Sequence, residues 1–211
     1  SDIIQALEKQ LTVHTDQHIR SVQHNDGVYE LKTAESTYHC NTLVCATPAL
    51  ATSRLLKDAH PDIAEQLNWV NEVEIESVAV VLDKKDLSLD DIAGIIAVDG
   101  DFYSAVTRDY IDHPDLRGFT FHFKPGLLND DEKTDRICSL LNVRHSDVKH
   151  TFHKTKRLPA PDMGHQQLID GLDASLAELS LALIGNYFEG VAIEDCLERV
   201  EKEFKRISQS K

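Results

Sequence analysis

Leu181–Cys196 reads LALIGNYFEGVAIEDC, and the fold turns on how this stretch is understood. An apolar run, Leu181–Ile184, stops at Gly185 and Asn186, and a short segment then carries a second glycine, Gly190. An amphipathic helical pattern follows from Ala192 to Ile207. A strand that ends on glycine and feeds a helix N-terminus can turn backbone N–H groups toward an anion. Glycine is useful there because it keeps side chains off the path of a ligand. The same pattern also serves as an ordinary tight strand-to-helix turn, so the neighbouring segments have to discriminate.

Upstream, Asp2–Leu11 has the apolar spacing of a helix, with Ile3, Ile4, Leu7 and Leu11 on one face. Val13 and Ile19–Gln23 read as strand. Asn25-Asp26-Gly27 is a hairpin turn signal that returns the chain through Val28–Thr33. Tyr38–Cys40 reads as a third strand and Thr42–Ala46 as a buried one ended by Thr47-Pro48. Pro48 suits the first turn of a helix Ala49–Leu56, and a short helix Pro61–Trp69 follows. Beyond Glu72 longer β patterns take over: Ile75–Leu82, Ile95–Val98, Tyr103–Arg108, Gly118–Lys124 and Val148–Lys156. One helix, Asp130–Leu141, interrupts them, capped by Asn129 or Asp130.

Three blocks resemble one family in its own order. IGNYFEGVAIEDCLERV is similar to the C-terminal flavin-contacting segment of the FAD-dependent amine oxidase and protoporphyrinogen oxidase superfamily. Gln17–Leu56, with its hairpin and its ATPA strand end, resembles that family's mid-chain stretch. Arg157–Ile169, RLPAPDMGHQQLI, is a looser match to an "A-x-P … G-H" element. The family opens on a strand–GxGxxG–helix unit that holds the FAD pyrophosphate. No GxGxxG occurs in these 211 residues. The resemblance therefore implies the C-terminal portion of a longer FAD-dependent oxidoreductase, not active by itself and not holding FAD by itself. The alternative is a non-enzymatic interaction domain that kept the fold and lost the cofactor half.

The implied fold is α/β (α+β): a mixed-sheet substrate domain over 71–157, with 1–70 and 158–211 as partial pieces of a FAD-binding domain. Carried over by position, Ile19 is the hairpin residue whose backbone faces the adenine, and Ala46, Thr47 and Pro48 pack near the cofactor. Gly185 and Asn186 fall beside the pyrophosphate and ribityl chain. Gly190, Val191, Ala192 and Ile193 fall against the flavin pyrimidine edge, where a helix N-terminus favours negative charge. No catalytic residue is named. Tyr187 and Phe188 stand where some relatives place aromatic cages. Arg108 and His122 lie on strands that either line a substrate cavity or are merely half-exposed.

Composition narrows the partners. A formal charge of −14 argues against nucleic acid, whose phosphates need clustered Lys and Arg. The one basic cluster, Lys149–Arg157, reads as a strand whose charges are solvated or paired with acids. No run approaches the roughly 18 consecutive apolar residues of a membrane span, and no signal peptide is apparent. The four cysteines lack any CxxC spacing, which suits free thiols in a reducing, cytoplasmic setting. His14/His18 and His150/His153 have no companion Cys or Glu at a metal-site spacing, so no metal is expected. The expected partners are a small-molecule substrate and either a second copy of the chain or a separate N-terminal half.

Overall fold

The computed structural model describes residues 2–90, 92–108 and 113–209. In chain order the first elements are helix α1 (Asp2–Glu8), strands β1 (Ser21–Asn25), β2 (Val28–Lys32), β3 (Thr37–Cys40) and β4 (Leu43–Cys45), then helices α2 (Ala49–Leu56) and α3 (Pro61–Leu67). Next come strands β5 (Glu72–Asp83), β6 (Gly94–Ile96), β7 (Phe102–Thr107) and β8 (Leu116–Phe123). The last are α4 (Asp130–Leu141), β9 (Val148–Pro159), α5 (His165–Leu176), β10 (Leu181–Leu183) and α6 (Ile193–Gln209). The chain divides into two compact units, Ser1–Asn71 with Pro159–Lys211, and Glu72–Leu158. It is a mixed α/β protein.

In the first unit the Asn25-Asp26-Gly27 signal acts as expected. Asp26 and Gly27 have φ of 50° and 77°, the left-handed pair that a two-residue hairpin turn requires, and they set the register Asn25↔Val28. β3 extends this meander antiparallel to β2. β4 and β10 form a separate parallel pair, Leu43↔Leu181 through Cys45↔Leu183. Their buried side chains meet Leu56, Leu67, Ile169, Leu172 and Leu176 from the helices. α2 begins as its proline predicts, with Ala51 and Thr52 donating to the Pro48 carbonyl.

Three local expectations need correction. Val13 is not in a strand, and α1 stops at Glu8 short of Leu11. Ile4, Leu7, Leu11 and Val13 are all exposed, and a short helix with its apolar residues left in water is marginal. α5 is not anticipated by the sequence reading. Its buried Ile169, Leu172 and Leu176 keep helical spacing, but Gly171 interrupts the pattern. That glycine permits a close approach of α3: a Cβ there would lie 3.1 Å from the Gln66 Oε1.

The second unit is a five-stranded sheet in the order β6-β7-β8-β5-β9, with α4 on one face. Strand alternation explains the packing. Val78, Val80 and Leu82 of β5 and Phe119, Phe121 and Phe123 of β8 turn to the α4 side and bury against Ile137 and Leu141. α4 begins with a reciprocal cap, in which Asn129 Oδ1 accepts from Glu132 N and Glu132 Oε2 accepts from Asn129 N. Among the described residues the opposite face of this sheet carries no α-helix of its own unit.

Candidate functional site

Two places collect the residues singled out by sequence. The first is the carboxyl end of the β4/β10 pair. Ile184 N donates to Cys45 O at 3.0 Å, so Ala46-Thr47-Pro48 and Gly185-Asn186 leave two parallel strands side by side. Crevices outside the carboxyl ends of parallel strands are where open α/β sheets bind ligands. Ala46, Thr47, Pro48, Val191, Ala192 and Ile193 are exposed, and Gly185, Asn186 and Gly190 are half-buried. Thr47 is held by its hydroxyl contact to Thr52 Oγ1, 2.8 Å. Ile19 lies just before β1, its side chain half-buried against the core of the first unit.

Both glycines of the opening stretch answer to neighbours within the chain. Gly185 has φ 151°, and a Cβ there would stand 2.8 Å from Cε1 of Tyr187. Tyr187 and Phe188 are buried, with ring centroids 4.6 Å apart. They are core residues and not an open aromatic cage. Burial pushes the Tyr187 phenol well above its ordinary value. Gly190 leaves room for the Asp195 carboxylate, which would collide with any added Cβ. Asp195 in turn accepts the Ala192 N–H at 3.0 Å, and with Glu194 it places two carboxylates in the first turn of α6. The positive end of that helix is thereby partly neutralised by its own side chains.

Because Gly185 is strained for any L-residue and its Cβ position is filled, Gly185→Ala should cost about 1–3 kcal/mol. The check is a urea melt: the midpoint should fall with an unchanged slope, and an unshifted midpoint would contradict the geometry.

Below the turn, one guanidinium organises the unit. Arg199 of α6 is fully buried, its Cζ 3.7 Å from the Phe188 ring centroid. Its Nε donates to Leu183 O at 3.0 Å, and Nη1 donates to Asp173 Oδ1 at 2.6 Å. Nη2 lies 3.3 Å from the Glu203 carboxylate. Arg206 adds donors to the carbonyls of Leu176, Leu179 and Leu181. Nothing in the local sequence marks Arg199, since an arginine in an amphipathic helix is ordinarily solvated.

The second place is the open face of the β6-β7-β8-β5-β9 sheet, a trough of about 710 Å³. Arg108 and His122 both line it. His122 Nδ1 is 3.0 Å from Ser77 Oγ, and burial followed by the Arg108 charge lowers its pKa. Arg108 Nε donates to Thr120 Oγ1 at 3.1 Å. The basic strand β9 divides by parity. Lys149, His153 and Arg157 pair with Asp83, Asp130 and Glu72, whereas Lys154 and Lys156 line the trough.

Among the described residues no cluster of three His, Cys, Asp or Glu side chains is arranged to hold a metal. Among the described residues no helix is long and apolar enough to cross a membrane. All four cysteines are free, and burial pushes the Cys45 thiol up to about 11.

No family model matches the sequence, and no curated protein matches it. Solved structures do match. A protein assigned as a protoporphyrinogen oxidase from Exiguobacterium sp. 255-15 aligns with 100% of this chain and 51% of its own, at 18% identity and TM-score 0.82. A reduced UDP-galactopyranose mutase aligns with 98% of this chain and 50% of its own, at 12% identity and TM-score 0.72. Cyclohexylamine oxidase from Brevibacterium oxydans IH-35A aligns with 92% and 48%, at 11% identity and TM-score 0.64. The chain spans about half the length of each. Over that half it shares the fold of these solved oxidases and of the mutase.

Proposed function

We propose that this chain is the portion of a FAD-dependent oxidoreductase that supplies its substrate-facing sheet, 71–157, and one wall of its flavin site from 1–70 and 158–211. The observation that carries this reading is the parallel register Cys45↔Leu183, which brings Ala46-Thr47-Pro48 and Gly185-Asn186 to the same end of the strand pair. The residues there suit a flavin in part: Ala46, Pro48, Val191 and Ala192 are uncharged and exposed, so they exclude water from one side of a flat ring. They offer no phosphate-binding loop, and FAD is expected to bind only when a GxGxxG-bearing polypeptide completes the site. When bound, the flavin supplies the redox chemistry. The chain's own part is placement: Gly185 and Gly190 keep the turn short, and the buried Tyr187 and Phe188 fix its height.

A surface fitted to such a completing polypeptide is present. Val44 is exposed between the buried Leu43 and Cys45, although strands of parallel sheets are normally covered on both faces. A groove of about 400 Å³ runs between Val44, Ile184 and the α6 residues Val200, Phe204 and Ile207. The four free thiols are compatible with a reducing compartment such as the cytoplasm, which this reading expects. The same bare surface supports a second reading, a non-enzymatic domain that pairs with another copy through this groove.

The purified chain should be colourless. Mixed with a separately expressed GxGxxG-bearing half and FAD, it should acquire the visible bands of an oxidised flavoprotein. Failure to do so, together with a stable dimer in light scattering that Phe204→Glu dissociates, would favour the second reading.

A further inference from the structure

The trough on the open face of the 72–158 sheet gathers cations in a chain of net charge −14. Alternation puts the small residues Ser77, Ala79, Gly118 and Thr120 on its floor, contributed by the two adjacent strands β5 and β8. The walls come from the strands outside them. Phe152, Lys154 and Lys156 rise from β9 on one side, and Arg108 follows β7 on the other. Three inter-strand steps separate these walls, about 14 Å at the usual strand spacing. Gly118 is what lets Arg108 lie across the sheet, since a Cβ there would come within 3.2 Å of the Arg108 Cβ. Arg108 gives only its Nε to Thr120. Among the described residues no carboxylate pairs with Arg108, Lys154 or Lys156, although the other lysine and the arginine of β9, Lys149 and Arg157, each have an acid partner.

A floor of small residues, its two hydroxyls already engaged by His122 and Arg108, between walls whose cations have no acid partner among the described residues, selects a ligand by charge and by shape. We infer that the trough binds an apolar small molecule carrying a carboxylate, and that it discriminates against the corresponding amine. This rests on the reading of the sheet as the substrate-facing part of the protein. Among the described residues an ammonium group would meet three positive side chains and no negative one. A carboxylate can take two N–H donors from the Arg108 fork or the ammonium of either lysine, while the hydrocarbon body lies on Ala79 and Phe152. A highly polar ligand would leave its own hydroxyls unmatched over such a floor.

The test uses the chain as it is, with three probes of one shape: phenylbutyrate, phenylbutylamine and phenylbutanol. Amide ¹H–¹⁵N shifts should move with phenylbutyrate at residues 75–81, 118–122 and 152–158. The amine should bind at least about tenfold more weakly, and rising salt should weaken only the carboxylate. Lys154→Gln with Lys156→Gln, both exposed side chains, should lower phenylbutyrate affinity several-fold and leave phenylbutanol unchanged; Arg108→Gln should do the same from the other wall. The inference falls if the amine or the alcohol binds as tightly as the carboxylate, if the shifts lie outside the trough, or if neither variant changes binding. No flavin enters this measurement. Carboxylate binding without flavin reconstitution would remove the oxidoreductase reading and leave the trough assignment standing, and the reverse pattern would do the opposite.

Discussion

Arg199→Ala should destabilise the first unit by about 3–5 kcal/mol, the usual effect of breaking a buried charged pair from one side. The guanidinium is fully buried, and its removal leaves Glu203, itself only 3% exposed, with Arg206 as its remaining ion pair. It also takes a donor from the Leu183 carbonyl and the stacked cation from Phe188. Arg199→Lys should be intermediate, because a lysine keeps the charge but cannot serve Leu183 O, Asp173 and Glu203 together. Denaturant melts followed by far-UV circular dichroism measure both, and a loss below about 1 kcal/mol for the alanine variant would contradict the network.

The same network has a pH signature with a definite sign. Burial by itself would raise the Asp173 carboxyl, but Lys202 and Arg199 outweigh it and hold the group below the ordinary carboxylate range. A depressed carboxyl contributes stability that is complete above its unfolded value, near 3.9. That contribution is lost as the pH falls from there through the folded value. The wild-type chain should therefore lose stability in that acidic window, and Arg199→Ala should lose less there, since one of the two cations is already gone.

Phe121→Ala should be as costly in the second unit, about 3–5 kcal/mol for a fully buried aromatic. Phe121 sits on the central strand β8 between Phe102 and Phe123, with ring centroids 5.8 and 6.2 Å away. It lies on the α4 side of the sheet, so the trough residues on the far side keep their identities. The expected readout is a fall in the urea midpoint together with lost hydrogen-exchange protection in β5, β8 and α4. A midpoint within about 1 kcal/mol of wild type would mean that the core collapses around the vacancy more readily than aromatic cores do.

Much of this fold can be read locally. The Asn-Asp-Gly hairpin, the Pro48 start of α2 and the Asn129 cap of α4 are each set by residues within a few positions of one another. α5 escapes such reading because Gly171 breaks its pattern for a tertiary reason, the nearby Gln66. Tyr187 and Phe188 look accessible in the sequence, yet they turn inward because Gly185 adopts φ 151° and Arg199, eleven residues on, waits beneath them. Arg108 and His122 stand out in the sequence as candidates for a cavity, and both line the trough, but the trough as a whole is hidden for a topological reason. Arg108 and Lys154 belong to strands separated in the sheet by β8 and β5, so no window of sequence holds both. The period of two in β9 did contain a hint, because it sends Lys154 and Lys156 to the face that its acid-paired neighbours leave.

The donors on the β10 backbone have a consequence for growth of the small parallel sheet. Residues 180 and 184 bond toward β4, so the carbonyls of Leu181 and Leu183 point the other way, and there Arg206 and Arg199 already occupy them. An arriving strand would have to evict two guanidinium groups to pair on that side. The backbone of Val44 faces the opposite border, where no such seal exists among the described residues. The sheet is thus a ribbon with one hemmed margin and one raw margin, and any third strand has a single direction from which to be sewn on.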